Sequence, residues 1–69
     1  MVDDLLNAGN NVEIQDGFNQ GAEVVIIDGR KTGLTLYDAN TVIERVLGKY
    51  GGELPGKVQI WTKEGIIGR

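Results

Sequence analysis

Sixty-nine residues with no cysteine and no histidine make one small domain with a thin core, since at this mass only about 60% of the unfolded chain's surface leaves water on folding. Disulfides are excluded, zinc lacks its usual ligands, and mechanisms built on histidine or a thiol go with them, leaving carboxylates, lysine, tyrosine, threonine and backbone amides. The net charge of −3 is unevenly spread: residues 1–29 hold six carboxylates and no lysine or arginine, while residues 30–69 hold all seven basic residues against four acidic ones.

Such a split either neutralises itself across the fold or between subunits, or sets up two faces of opposite sign that steer a charged partner. No apolar run reaches the roughly 18–20 residues that span a bilayer, and the opening MVDDLLNAG is acidic where a secretory leader would be basic. A cytoplasmic location is expected. No repeat, linker or low-complexity stretch divides the chain, so residues 1–69 read as a single domain. Catalysis, metal binding and a cofactor are not expected.

In chain order, Val2, Leu5 and Leu6 have helical spacing, but Asn7-Ala8-Gly9-Asn10-Asn11 limits this helix to one or two turns. Val12-Glu13-Ile14-Gln15 alternates like a half-buried strand, and Asp16-Gly17 with Gly21 brackets a hairpin turn around Phe18. Residues 22–28 are the most strand-like segment, because Val24, Val25, Ile26 and Ile27 are all branched at Cβ and pack well on a pleated sheet. With Val24 and Ile26 turned to the core, Val25 and Ile27 point the other way and call for cover by a subunit, by the N-terminal segment or by a binding partner. A turn containing Gly29 and Gly33 then leads into a third short strand, Leu34-Thr35-Leu36-Tyr37.

Over residues 38–50, Val42, Ile43, Val46, Leu47 and Tyr50 lie on one stripe of a 3.6-residue helix, with Glu44, Arg45 and Lys49 outward. Asp38 is placed as the N-cap with Tyr37 stapled on Val42, a start at Thr41 with Glu44 being the other option. Gly51-Gly52 followed by Leu54-Pro55-Gly56 ends the helix. From Lys57 to Lys63 the chain alternates as a strand, Val58, Ile60 and Thr62 on one side and Gln59, Trp61 and Lys63 on the other, and Glu64-Gly65 turns it back into Ile66-Ile67. The expected fold is α+β in two layers: one helix on a mainly antiparallel sheet of four to five strands, in the order β-β-β-α-β-β. Its core would hold Val24, Ile26, Leu36, Val46, Leu47, Val58 and Ile60.

The segment DANTVIERVLGKYGG, followed by a Trp-bearing strand, resembles the helix and third strand of β-grasp immunoglobulin-binding domains, which implies that topology. Leu34-Thr35-Leu36, a helix ending at Leu47-Gly48, Pro55-Gly56-Lys57-Val58-Gln59-Ile60 and Gly65-Ile66-Ile67 are similar to the swapped-hairpin DNA-binding fold of bacterial transition-state regulators and antitoxins, which implies nucleic-acid binding.

Among motifs, Gly29-Arg30-Lys31-Thr32-Gly33 has phosphate-loop ingredients, but the spacing is wrong and the turn leads into a strand rather than a helix. Asp16-Gly17-Phe18-Asn19-Gln20-Gly21 lacks the carboxylate pattern of a calcium loop. Neither Asp3-Asp4 nor Asp16 with Asp28 sits in a context that separates pKa values for acid and base work. Trp61, on the polar side of its strand, reads as an interface anchor, a base-stacking platform or a core residue.

The favoured reading is a noncatalytic protein-interaction module, a small bacterial or phage-encoded protein that binds and modulates a macromolecular partner. It would self-associate as a symmetric homodimer through Val25, Ile27 and Trp61. The alternative is a small DNA-binding transcriptional regulator that contacts nucleic acid through Arg30, Lys31, Arg45 and Lys49.

Overall fold

The computed structural model describes residues 4–69, with side chains from Gly9 onward. Val2, Asp3 and the side chains of Asp4, Leu5 and Leu6, which enter the expectations above, lie outside the described residues. Five elements follow one another: α1 (Asp4–Asn19), β1 (Val24–Asp28), α2 (Leu36–Lys49), β2 (Lys57–Thr62) and β3 (Gly65–Gly68). The sheet order is β1-β2-β3, with β1 parallel to β2 and β2 antiparallel to β3. Among the described residues the fold is thus α+β, with two helices and three strands in the order α-β-α-β-β, and the expected four to five mainly antiparallel strands, β-β-β-α-β-β order and single helix are corrected.

The first correction lies at α1, where a strand and hairpin turn were expected and a helix of 16 residues runs straight through Gly9, Asn10, Asn11 and Gly17. Those residues are poor helix formers, so packing rather than propensity holds the helix. Asn11, Ile14 and Phe18 recur at steps of three and four and are all buried. The one polar member of that stripe is satisfied locally, Gln15 Nε2 donating to Asn11 Oδ1 at 2.6 Å. Gly17 lets the helix ride directly on β1, because a Cβ there would lie 2.8 Å from Val25 Cγ2. Gly21, at φ 90°, ends α1 in a Schellman motif: Ala22 N–H donates to Gly17 O at 3.0 Å and Gly21 N–H to Phe18 O at 2.9 Å.

The second correction lies at residues 34–37. Leu34 is a buried core residue, Thr35 is the N-cap of α2, and Leu36 and Tyr37 form its first turn. A capping box decides this start: Asp38 N–H donates to Thr35 Oγ1 at 3.1 Å and Thr35 N–H to Asp38 Oδ2 at 3.3 Å. Asp38 is therefore the third helical residue rather than the cap, and Tyr37, 68% exposed, staples nothing. The expected helical stripe is otherwise found, with Val42, Ile43 and Val46 buried and Leu47 half-buried. Gly51 at φ 69° closes α2 with the same motif that closes α1, Gly52 N–H donating to Leu47 O at 2.9 Å.

Both helices lie on one face of the sheet, α1 over β1 and α2 over β2 and β3, and they pack against each other. Val58 and Ile60, fully buried, and Ile27, nearly so, supply the sheet side of the core; Ile14, Phe18, Ala39, Val42, Ile43 and Val46 supply the helix side. Phe18 and Tyr50 meet edge to face with centroids 5.9 Å apart, tying the two helix ends together. Leu36, expected in the core, stands on the surface of α2.

Candidate functional site

Because successive strand residues point to opposite faces, the burial of Ile27, Val58 and Ile60 turns Val24, Ile26, Gln59, Trp61 and Ile66 to the face without helices. Val24, Ile26 and Ile66 are 48%, 49% and 65% exposed, and Trp61 is half-buried. Register brings them together: Ile26 lies opposite Gln59, Asp28 opposite Trp61, and Trp61 opposite Ile66. The facing of β1 is thus the reverse of that expected. Ile27 packs in the core and Val25 packs half-buried against it, while Val24 and Ile26, expected inside, lie on the open face. Of the three residues expected at an interface, Trp61 alone stands on this face.

Trp61 is held by its neighbours. Arg30 Nε donates to Asp28 Oδ1 at 2.8 Å and Nη2 to Asp28 Oδ2 at 2.7 Å, a two-pronged ion pair. This fixes the guanidinium over the indole, 5.0 Å from its centroid. The hydrogen bonds from the Arg30 side chain and backbone N–H hold the Asp28 carboxyl down at about 2. On the other side, Trp61 Nε1 donates to Gln59 Oε1 at 3.4 Å.

The four basic residues expected at nucleic acid are split between the layers. Arg30 is engaged with Asp28 and Trp61 on the sheet side, with Lys31 exposed beside it in the chain. Arg45 and Lys49 instead border a crevice between the helices with Asn11, Val12 and Gln15.

Residues 29–33 lead into a helix after all, so the strand–loop–helix order of a phosphate loop is present where a strand was expected to follow. Three backbone donors of this loop and helix start are nevertheless engaged within the chain. Leu36 N–H, at the start of α2, donates to Glu64 Oε1 at 2.9 Å, Asp38 N–H is held by Thr35, and Gly29 N–H donates to Trp61 O at 2.8 Å. Two carboxylates already occupy that helix end and would repel a phosphate. Asp16 and Gly17, weighed as part of a calcium loop, lie in the last turns of α1.

A groove that the sequence reading misses runs between α1 and the outer edge of β1. Val12, Glu13, Asp16 and Gln20 line one wall and Val24, Val25 and Ile26 the other, around about 540 Å³. It could be read only by recognising α1 as a helix, whose steps of three and four bring Glu13, Asp16 and Gln20 to one side. Among the described residues, no helix is long and apolar enough to cross a membrane. No family model, curated protein or solved structure matches this chain.

Proposed function

We propose that the chain is a noncatalytic interaction module that works as a symmetric homodimer, two copies meeting through their open sheet faces. The observation that carries this reading is a parallel strand pair covered on one face only. Parallel strands are ordinarily buried on both faces, and here Val24 and Ile26 stand nearly half exposed and Ile66 more than half, around Trp61. Large apolar side chains exposed together on one face, rather than scattered singly, mark contact sites on small proteins. A twofold axis lets the patch meet itself, and it can also set the acidic first half of one chain near the basic second half of the other. The dispersed placement of Arg30, Lys31, Arg45 and Lys49 supports this reading over the nucleic-acid one, since phosphate binding gains with the number of charges on one surface.

Sedimentation equilibrium at micromolar concentration, paired with iodide quenching of Trp61, tests the proposal. A dimer with shielded Trp61 is expected, turned by Ile66→Lys into a monomer with accessible Trp61. A wild-type chain that sediments at 7.5 kDa with freely quenched Trp61 would sink the homodimer.

A further inference from the structure

We propose that the groove between α1 and the outer edge of β1 takes an extended segment of a partner protein, alternately basic and apolar, as a fourth strand of the sheet. This goes beyond the open-face dimer and uses the hydrogen-bonding edge of β1, which borders that face at Val24 and Ile26.

The backbone supplies the first argument. Lys57 N–H donates to Glu23 O and Gly29 N–H to Trp61 O, both at 2.8 Å, at the two ends of the β1–β2 ladder. Alternation between these fixed points gives the odd-numbered residues of β1 to β2. Val24, Ile26 and Asp28 therefore turn their N–H and C=O groups outward, to an edge that pairs with no strand among the described residues. Natural edges are commonly blunted by lysine, proline, a bulge or shortness. β1 has no lysine or proline, its pairing with β2 is unbroken over five residues, and four of those five are apolar and β-branched. β3, the other edge, is only four residues long and begins and ends in glycine.

Charge complementarity selects the occupant. The α1 wall carries Glu13 and Asp16, and no lysine or arginine lines the groove. A strand laid on β1 would point alternate side chains towards α1 and the rest towards the open face. Basic residues on the first set meet Glu13 and Asp16. Apolar residues on the second set extend the surface of Val24 and Ile26. A second copy's β1 is disfavoured here, because it would bring another stretch without lysine or arginine, residues 1–29, to the same edge. Main-chain hydrogen bonds thus give affinity, and the period-two pattern of charge gives selectivity.

The test is an amide NMR titration of the full chain with a capped nonapeptide alternating lysine and valine. Its counterparts are a peptide with glutamate for lysine and one N-methylated along a single edge. Expected are the largest shifts at the amides of Val24, Ile26 and Asp28, slowed hydrogen exchange there, and little binding by either counterpart. Glu13→Gln with Asp16→Asn should raise Kd about tenfold or more, whereas Ile66→Lys, which addresses the dimer alone, should leave Kd unchanged. Equal binding of the N-methylated peptide, shifts centred on Ile66 and Trp61, or no binding at millimolar peptide would each overturn the proposal. So would concentration-dependent slowing of hydrogen exchange at the Val24, Ile26 and Asp28 amides of Ile66→Lys without peptide, which would assign the edge to a second copy.

Discussion

Ile26 and Ile27 are chemically identical neighbours in one strand, yet Ile26 is 49% exposed and Ile27 only 5%. The difference comes entirely from what lies over each face. Ile27 looks into the layer formed by α1 and α2, whereas Ile26 looks out beside Gln59 on the bare face. In this chain, residue type therefore says little about burial within β1, and the docking of the helices says nearly everything. The covered face carries the stability, and the bare face is the one we propose for association.

The strongest way to break that division is to charge the covered side. Val46 is fully buried beneath α2, and Val46→Asp places a carboxylate where it has no solvent, at a cost above about 4 kcal/mol. A domain of this size holds on the order of 5 kcal/mol in total, so circular dichroism should show no cooperative melt. A folded, cooperative variant would mean that the assigned helix face is wrong. Next comes Gly56→Ala at the entry to β2. The new Cβ would lie 2.5 Å from the backbone O of Glu23, the acceptor that opens the β1–β2 ladder, and 3.1 Å from Phe18. Backbone oxygen cannot swing aside as a side chain can, and a loss of about 1–3 kcal/mol in denaturant titration is expected.

The two helices show why part of this fold can be read from the chain and part cannot. α2 carries an apolar stripe, a capping box at Thr35 and Asp38, and a Gly51-Gly52 stop, three signals that agree. Only its first two residues are obscured, because Leu34-Thr35-Leu36-Tyr37 happens to alternate. α1 has the same kind of glycine stop at Gly21, but one of its buried positions is Asn11, and Val12-Glu13-Ile14-Gln15 imitates a strand over four residues. Reading α1 as a strand removes the layer that orients β1. Four apolar β-branched residues in a row have no period of their own, so the facing of Val24 to Ile27 is then undetermined. Trp61 is different: the alternation of Val58, Ile60 and Thr62 against Gln59 and Lys63 places it on the outer face without help from α1. The groove beside β1 is invisible for the same reason that α1 is.

A paired substitution sharpens the comparison directly. Ile27→Thr buries a hydroxyl and opens space in the core, and should cost about 2 kcal/mol or more in the equilibrium unfolding of dilute protein. Ile26→Thr, one residue away, should stay within about 0.5 kcal/mol under the same conditions. Its effect should emerge on raising the protein concentration, where the wild-type melting temperature climbs by mass action and that of Ile26→Thr lags. Equal losses at the two positions would mean that both faces of β1 are covered.

The smallest effect expected belongs to the ion pair that holds Arg30 over Trp61. Asp28 titrates at about 2 in the fold against an ordinary value of 3.8, so between those values the folded chain binds fewer protons than the unfolded one. The contribution of the pair is therefore complete above about 3.8 and is lost as pH falls through about 2. Both partners are solvent-exposed, which keeps its effect on stability small and sensitive to salt. Trp61 offers a more sensitive reading than a melt, because Arg30 covers one face of its ring. Asp28→Asn at neutral pH removes the carboxylate that fixes the guanidinium while keeping the shape of the side chain. Quenching of Trp61 by acrylamide, which is uncharged and so indifferent to the cation itself, should rise slightly in this variant and to the same extent in Arg30→Ala. The wild-type chain should show the rise only as pH falls towards 2, and an Asp28→Asn variant with unchanged quenching would mean that Arg30 holds its place over the indole without the ion pair.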